Sequence, residues 1–165
     1  MHSSVEHMVI EDSAFISNSA EEAGGGLAAF GRHSRVSRSN FTSNTASASG
    51  GGVFAEGRAS SLTVDNCRFQ QNEAGHSGGG LATAALGSLS VLSSEFLQNI
   101  LSSHDQGLVN VSRHGGGISA TETSSLRIDQ TRFEGNLALR SAAADRSTRG
   151  GGLHLHTASS VLISS

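Results

Sequence analysis

The sequence is built on a pair of motifs that recurs five times along the chain. The first motif is Phe-x-x-Asn, and the second is Gly-Gly-Gly followed by an aliphatic residue. A pair of motifs repeated at a nearly fixed spacing indicates a repeat architecture, in which each unit packs on its neighbours. The spacing from the start of a triple glycine to the next phenylalanine is 17 residues from Gly24 to Phe41, 19 from Gly50 to Phe69, 18 from Gly78 to Phe96 and 18 from Gly115 to Phe133.

A third element, a short alternating aliphatic pair, lies five and seven residues before each phenylalanine. Leu62 and Val64 form this pair in the third unit, Val36 stands alone in the second, and Val161 and Ile163 begin a sixth copy. Each unit therefore carries three short strand-like pieces, and no apolar pattern of period 3.6 runs longer than a turn or two. The sequence predicts an all-β right-handed parallel β-helix of about five coils, in which equivalent residues stack about 4.8 Å apart.

The motifs predict two stacked columns of side chains. The phenylalanines are expected to form an internal aromatic stack, because their rings bury the most area in a core of small residues. The asparagines are expected to form an amide ladder at a corner, each donating to one neighbour and accepting from the other. The members of the two columns are Phe15, Phe41, Phe69, Phe96 and Phe133, and Asn18, Asn44, Asn72, Asn99 and Asn136.

One corner of the repeat is interrupted. Five residues separate the asparagine from the next triple glycine in the first three units, but fifteen (100–114) and thirteen (137–149) do so in the fourth and fifth. We expect one β-helix domain over residues 1–165, with these two insertions projecting side by side from one face. Such a face is often where a solenoid binds its partner. The candidate binding residues are His104, Asp105, Arg113, His114, Arg140, Arg146 and Arg149.

Composition excludes several classes of partner. The chain has 11 arginines against 14 acidic residues and a formal charge of −3, so its overall field repels a phosphate backbone and no nucleic acid partner is expected. No run approaches the ~20 apolar residues of a membrane span, so this segment is not expected to insert into a membrane directly. The single cysteine, Cys67, cannot form an internal disulfide and is expected to be a small packing residue.

Neither a cofactor nor a metal is expected. Gly24, Gly26 and Ala29 fit Gly-x-Gly-x-x-Ala, but a dinucleotide site needs a helix after the glycines and occurs once, whereas these glycines recur before strands. His154 and His156 alternate on one strand and share a face. A transition-metal site needs three or four converging ligands, so the sequence predicts a solvent-exposed histidine pair.

The motif pair resembles the repeat of the polymorphic outer-membrane proteins of chlamydiae and of related right-handed β-helix proteins. The resemblance covers nearly the whole chain, although copies in that family often read Gly-Gly-Ala and every copy here is Gly-Gly-Gly. It implies an exported autotransporter passenger segment that acts in adhesion, at the cell surface, at the outer membrane or outside the cell. The implied partner is a host or cell-surface protein or glycan. Strand edges at both ends of the stack also favour end-to-end self-association.

Two functions remain open at this point: a non-enzymatic structural or adhesive module, and a carbohydrate-active β-helix enzyme such as a polysaccharide lyase or hydrolase. Hydrolysis needs two carboxylates roughly 5 to 9.5 Å apart. The best candidate column for such a pair lies four residues before each motif phenylalanine, and no two adjacent coils both carry an acid there. The sequence also has no lysine to act as a base. An enzyme should show neighbouring acids, or an arginine and acid cluster, on one sheet face, whereas a scaffold should show serine, threonine and alanine there. The column contains Glu11, Ser37, Asp65, Leu92 and Asp129.

Overall fold

The computed structural model of the chain describes residues 6–102, 113–139 and 148–164, and its regular structure in these ranges consists of short strands. None of the described residues forms a helix of the length and apolarity that would cross a membrane. The strands, in chain order, are β1 (His7–Glu11), β2 (Ala14–Ile16), β3 (Ser19–Ala20), β4 (Leu27–Ala29), β5 (His33–Ser37), β6 (Asn40–Thr42), β7 (Thr45–Ala46), β8 (Val53–Glu56), β9 (Ser61–Asp65), β10 (Arg68–Gln70), β11 (Glu73–Ala74), β12 (Leu81–Ala84), β13 (Ser88–Leu92), β14 (Glu95–Leu97), β15 (Ile100–Leu101), β16 (Arg113–His114), β17 (Ile118–Thr121), β18 (Ser125–Asp129), β19 (Arg132–Glu134), β20 (Leu137–Ala138), β21 (Thr148–Arg149), β22 (Leu153–His156) and β23 (Ser160–Ser164).

Consecutive strands lie in different sheets, and each strand pairs in parallel with its equivalents in the neighbouring coils. Sheet 1 has the order β1-β5-β9-β13-β18-β23, sheet 2 β2-β6-β10-β14-β19, sheet 3 β3-β7-β11-β15-β20 and sheet 4 β4-β8-β12-β17-β22, while β16 pairs with β21. The chain therefore winds through sheets 1, 2, 3 and 4 once per coil, for five coils, and then adds one strand of a sixth coil to sheet 1. The predicted right-handed parallel β-helix is confirmed.

The number of strands per coil differs from the sequence prediction. The sequence shows three strand-like pieces in each unit, whereas each coil has four main strands. The additional strand is the two-residue segment after each asparagine, such as Thr45–Ala46 in the second coil. Two residues are too few for an alternating pattern to appear, so this strand is defined only by its pairing with the neighbouring coils.

The phenylalanine rings form the stack predicted from the sequence. Neighbouring ring centroids are 4.7, 4.9, 4.5 and 5.3 Å apart along the column, and the rings are within 14° of parallel. Phe41, Phe69 and Phe96 are completely buried, while Phe15 and Phe133 at the ends of the stack are partly buried. The ring spacing is close to the strand spacing, as expected when the coils are in register.

The asparagine ladder satisfies every polar atom of its central side chains. The Nδ2 group of Asn72 donates to Oδ1 of Asn99 at 2.9 Å and to the backbone oxygen of Phe41 at 2.9 Å. Its Oδ1 accepts from the backbone N–H and from Nδ2 of Asn44, both at 3.0 Å. Asn44 and Asn99 repeat these contacts one coil away on either side. Since Asn44, Asn72 and Asn99 are fully buried, their amides are stabilised by the adjacent coils and not by water.

The triple glycines form the corner between sheets 3 and 4. The first glycine of each triplet has φ between +58° and +72°, a conformation that L side chains rarely adopt. At the third glycine of the first four triplets, a side chain is excluded because there is no space for it. A Cβ on Gly80 would lie 2.7 Å from the backbone oxygen of Gly117 and 2.9 Å from Cδ1 of Phe96. The motif therefore allows the corner backbone to approach both the next coil and the phenylalanine stack.

We predict that Gly80→Ala destabilises the protein by about 2 kcal/mol, because the added methyl group overpacks the corner. Gly152→Ala is the matched control, since it changes the same motif position in the fifth coil. The nearest atom to a Cβ on Gly152 is Cβ of Phe133 at 3.6 Å, which is an ordinary contact. Urea unfolding of the two variants should show a lower midpoint only for Gly80→Ala. Equal midpoints would contradict the close approach of the coils.

A second prediction concerns the asparagine ladder. Asn72→Ala should cost about 3 kcal/mol of unfolding free energy, because it leaves the buried N–H and Nδ2 groups of Asn44 and the oxygen of Phe41 without their partner. Asn18→Ala is the control: Asn18 is exposed, and its Nδ2 makes one bond within the ladder, to Asn44. This variant should lose less than about 1 kcal/mol. A similar loss in both variants, measured by urea unfolding, would show that the ladder does not stabilise the coils.

Candidate functional site

The two insertions start and end at equivalent positions of neighbouring coils. At their N-terminal side Ile100 pairs with Leu137 and Leu101 with Ala138. At their C-terminal side, strand Arg113–His114 pairs with strand Thr148–Arg149. A bridge between Ser77 and His114 continues the same column into the third coil. The bases of both insertions are thus held together at the corner between sheets 3 and 4, which we call the insertion corner.

The structure corrects the boundaries of the insertions. Residues 100–101, 113–114, 137–138 and 148–149 belong to strands, because the parallel ladder continues on both sides of each insertion. Arg113, His114 and Arg149 are therefore strand residues and not loop residues. His104 and Asp105 of the first insertion, and Arg140 and Arg146 of the second, lie outside the described residues. The sequence missed these boundaries because the two-residue strands have no recognisable pattern.

His114 lies against a histidine of the next coil. Its ring stacks on that of His154, with centroids 4.1 Å apart and planes 12° from parallel. His154 and His156 do share the outward side of β22, above Ser119 and Thr121 of β17, as the sequence predicts. However, the prediction that both histidines are solvent-exposed is wrong for His154. His154 is partly buried against His114, whereas His156 is exposed. The motif spacing does not predict this contact, because His114 and His154 occupy different columns of the repeat.

The acids of sheet 1 are separated along the column and held in ion pairs. Asp65 and Asp129 are two coils apart, on either side of Leu92 in the register. Asp65 bonds to Arg35 and Asp129 to Arg127, both at 2.9 Å. Hydrogen bonds from Ser164 and Arg127 hold the pKa of Asp129 below its usual range. A carboxyl group kept ionised in this way is a poor general acid, because proton donation needs a pKa near the working pH.

The corner that follows sheet 1 carries a further set of charge pairs. The guanidinium of Arg38 donates to both carboxylate oxygens of Asp12 at 2.8 and 2.9 Å and lies 3.3 Å from Glu11. The hydrogen bond from Arg38 lowers the pKa of Asp12. On sheet 2, Arg68 and Arg132 flank Glu95 at 3.6 and 3.9 Å. These described charges are thus paired with each other at the solvent-exposed surface, within a strand or between neighbouring coils.

Two phenylalanines outside the stack form an exposed aromatic contact that the sequence analysis did not consider. Phe54 projects outward from β8, and Phe30, which follows β4, is 63% exposed. Their ring centroids are 6.1 Å apart at an interplanar angle of 62°. Five of the seven phenylalanines belong to the Phe-x-x-Asn motif. The two that do not, Phe30 and Phe54, could have been recognised from the sequence as aromatic residues outside the internal stack. In the third and fourth coils the same side of the sheet carries small residues, namely Ala82 and Ala84, and Ser119 and Thr121.

Cys67 occupies a packing position, as expected from the sequence. Its Sγ contacts the backbone oxygens of Asp65 at 3.4 Å and Val36 at 3.5 Å, and burial raises the pKa of its thiol. Ser39 and Ser94 in the adjacent coils make the same bond to the oxygen two residues earlier. The thiol therefore replaces a hydroxyl in a structural column. A buried thiol with a raised pKa is unreactive.

Among the described residues, no three histidine, cysteine, aspartate or glutamate side chains come together in a group that could hold a metal ion. The family model described as a right-handed β-helix region matches residues 2–165, which is nearly the whole chain. Searches of curated proteins and of solved structures returned no match. The comparisons therefore establish the repeat architecture.

Proposed function

We propose that this chain, which belongs to the right-handed β-helix family, is a non-enzymatic module that acts at a cell surface or outside the cell. Its coils serve as a rigid support, and its insertions bind a protein or glycan of another surface. The module is comparable to the passenger segment of an autotransporter, which its motif pair resembles.

The main support for a non-enzymatic role is the arrangement of the carboxylates on sheet 1. Asp65 and Asp129 lie two coils apart, about 10 Å at the backbone, which is at the upper limit for a pair of hydrolase carboxylates. Each is bound to an arginine at 2.9 Å. On either side of Ser88–Leu92 the sheet face contains arginine and acid as two separated pairs. At its other end, Glu11 and the adjacent Asp12 share one exposed arginine, Arg38, which neutralises both acids in ion pairs. This arrangement favours a structural role for the pairs.

The register of the insertions supports a binding role for their corner. Both begin after paired strands of sheet 3 and end in the paired strands Arg113–His114 and Thr148–Arg149. Two inserted segments anchored at equivalent positions of neighbouring coils can form one continuous surface. Binding segments on a rigid support lose less conformational freedom when a partner binds, which favours affinity.

We predict no turnover of polysaccharides. The purified chain should release no product from polygalacturonate, alginate or xylan, and the double variant Asp65→Asn and Asp129→Asn should behave identically. The assay measures reducing ends for hydrolysis and absorbance of the unsaturated product for elimination. Turnover that is present in the wild-type chain and lost in the double variant would refute the non-enzymatic proposal and assign catalysis to sheet 1.

We also predict that both insertions can be removed without loss of the fold. Deleting residues 103–112 and 140–147 leaves five residues between Asn99 and Gly115 and between Asn136 and Gly150, the same number as between Asn18 and Gly24. The shortened chain should keep its strand circular dichroism and its urea midpoint, because the ladder residues are retained. It should lose at least about tenfold in binding to cultured epithelial cells, measured with fluorescently labelled protein.

Variants with a single deletion are the controls for this experiment, and each should retain part of the cell binding. Unchanged binding by the shortened chain would show that the insertions are not the adhesive surface. Absence of cell binding by the full chain would contradict the adhesive function itself.

A further inference from the structure

The corner between sheets 4 and 1 is not the same in every coil. Three residues connect the two sheets in the third, fourth and fifth coils, such as Ala85–Gly87 after β12, whereas four connect them in the second coil, from Gly57 to Ser60. The additional residue is accommodated by Gly57, whose φ is +148° and whose oxygen accepts the N–H of Ser60 at 3.0 Å. Arg58 then forms an antiparallel bridge with Leu86 of the next coil. Arg58 and Ala59 thus belong to a longer corner that lies beside the three-residue corners of the next coils, and we call these two residues the ledge.

A groove of about 470 Å³ lies beside this ledge and extends along the third to fifth coils. It is open to solvent along its length and differs from the insertion corner, which lies between sheets 3 and 4. Its volume is within the range of small-molecule sites. The residues that determine its chemistry are Arg58, Leu86, Glu122, Ser124, Thr157 and Ser159.

The two charged residues of the groove are unpaired. Arg35, Arg38, Arg68, Arg127 and Arg132 all form ion pairs with acids of their own or a neighbouring coil. In the part of the chain that the structure describes, neither Arg58 nor Glu122 has an ion pair or a side-chain hydrogen bond, and both are exposed. The groove therefore presents one free cation and one free anion. The exposed hydroxyl groups of Ser124, Thr157 and Ser159 lie beside them.

We propose that the groove binds a short peptide with free termini, whose carboxylate pairs with Arg58 and whose ammonium pairs with Glu122. Arg58 is on the second coil and Glu122 on the fourth, so their backbone positions are about 10 Å apart. Three extended residues span about 10 Å, so a tripeptide matches the backbone spacing of the two residues, and their exposed side chains can turn toward its termini. The guanidinium can bind the carboxylate through two parallel hydrogen bonds.

The other properties of the groove agree with a zwitterionic peptide better than with alternatives. A phosphate group would be repelled by Glu122, and the net charge of the chain, −3, increases this repulsion. The hydroxyl groups of Ser124, Thr157 and Ser159 can both donate to peptide carbonyls and accept from peptide N–H groups. Leu86, which is 2% exposed, provides no apolar pocket. The groove is therefore expected to recognise the charged ends and the backbone of the peptide and not its side chains.

The inference is tested with trialanine and two derivatives that each lack one charge. N-acetyl-trialanine has no ammonium, and trialanine amide has no carboxylate. Binding to the full chain is measured by NMR titration, and each derivative should bind about three- to tenfold more weakly than trialanine. The affinity for trialanine should also fall as salt is raised, because both contacts are exposed ion pairs.

Variants assign each charge of the peptide to its residue. Arg58→Ala should weaken trialanine about three- to tenfold and should no longer distinguish it from its amide, whereas Arg58→Lys should retain part of the difference. Glu122→Gln should no longer distinguish trialanine from its N-acetyl derivative. Arg32→Ala and Glu56→Gln are the controls, since both residues are exposed but outside the groove lining. These two variants should bind like the wild-type chain.

Three outcomes would overturn the proposal. They are equal binding of all three peptides, loss of binding in the control variants to the same extent as in Arg58→Ala, and binding of trigalacturonate in place of trialanine. The inference does not rest on the adhesive function. The chain without its two insertions should bind trialanine as the full chain does, so failure of the insertions and failure of the groove can be told apart.

Discussion

A buried asparagine amide in this protein finds most of its hydrogen-bond partners in the neighbouring coils, so each coil fixes the register of the next. Asn72 alone connects to Asn44, Asn99 and the backbone of Phe41. A shift of one residue in one coil would separate these groups and would also turn the phenylalanine of that coil to the outside. Both changes cost free energy at once, since buried polar groups would lose their partners and a large ring would be exposed. This coupling explains why Phe-x-x-Asn recurs unchanged while the residues around it vary.

The requirement that the coils stay in register constrains the inward-facing residues and the triple-glycine corner. The sequence and length of the other segments of each coil can vary. The insertions follow this division. They interrupt the segment between asparagine and triple glycine, yet Leu101 and His114 on either side of the first insertion remain paired with the adjacent coils. Backbone pairing with the adjacent coils is present up to Ser102 and again from Arg113, so the described ladder is not disturbed. A function carried by such segments can change without altering the core.

The sequence could predict the columns because their members are chemically distinctive and regularly spaced, as Phe69 and Asn72 are in the third coil. It could not predict features that depend on how different columns meet. The stacking of His114 on His154 and the cross-coil pair of Arg35 with Asp65 join residues whose separation follows no period. The other corners were also hidden, because they use non-glycine residues at positive φ, such as Asn66 and Gln71. Only the corner that packs against the next coil and the phenylalanine ring requires glycine in every copy.

The charged residues of the coils fall into two groups: those paired within the scaffold and those available to a ligand. The described arginines on sheets 1 and 2 lie beside an acid of their own strand, as Arg127 does, or of a neighbouring coil, as Arg35 and Arg68 do, because stacking brings equivalent positions within reach of each other. Arg58 is excluded from this pairing by the additional residue in its corner, which places it on a ledge opposite Leu86. Glu122 lies two coils away on the same groove, and the two side chains do not pair with each other. Two opposite charges thus remain unpaired beside the same groove, and a ligand with two charges can complete both pairs.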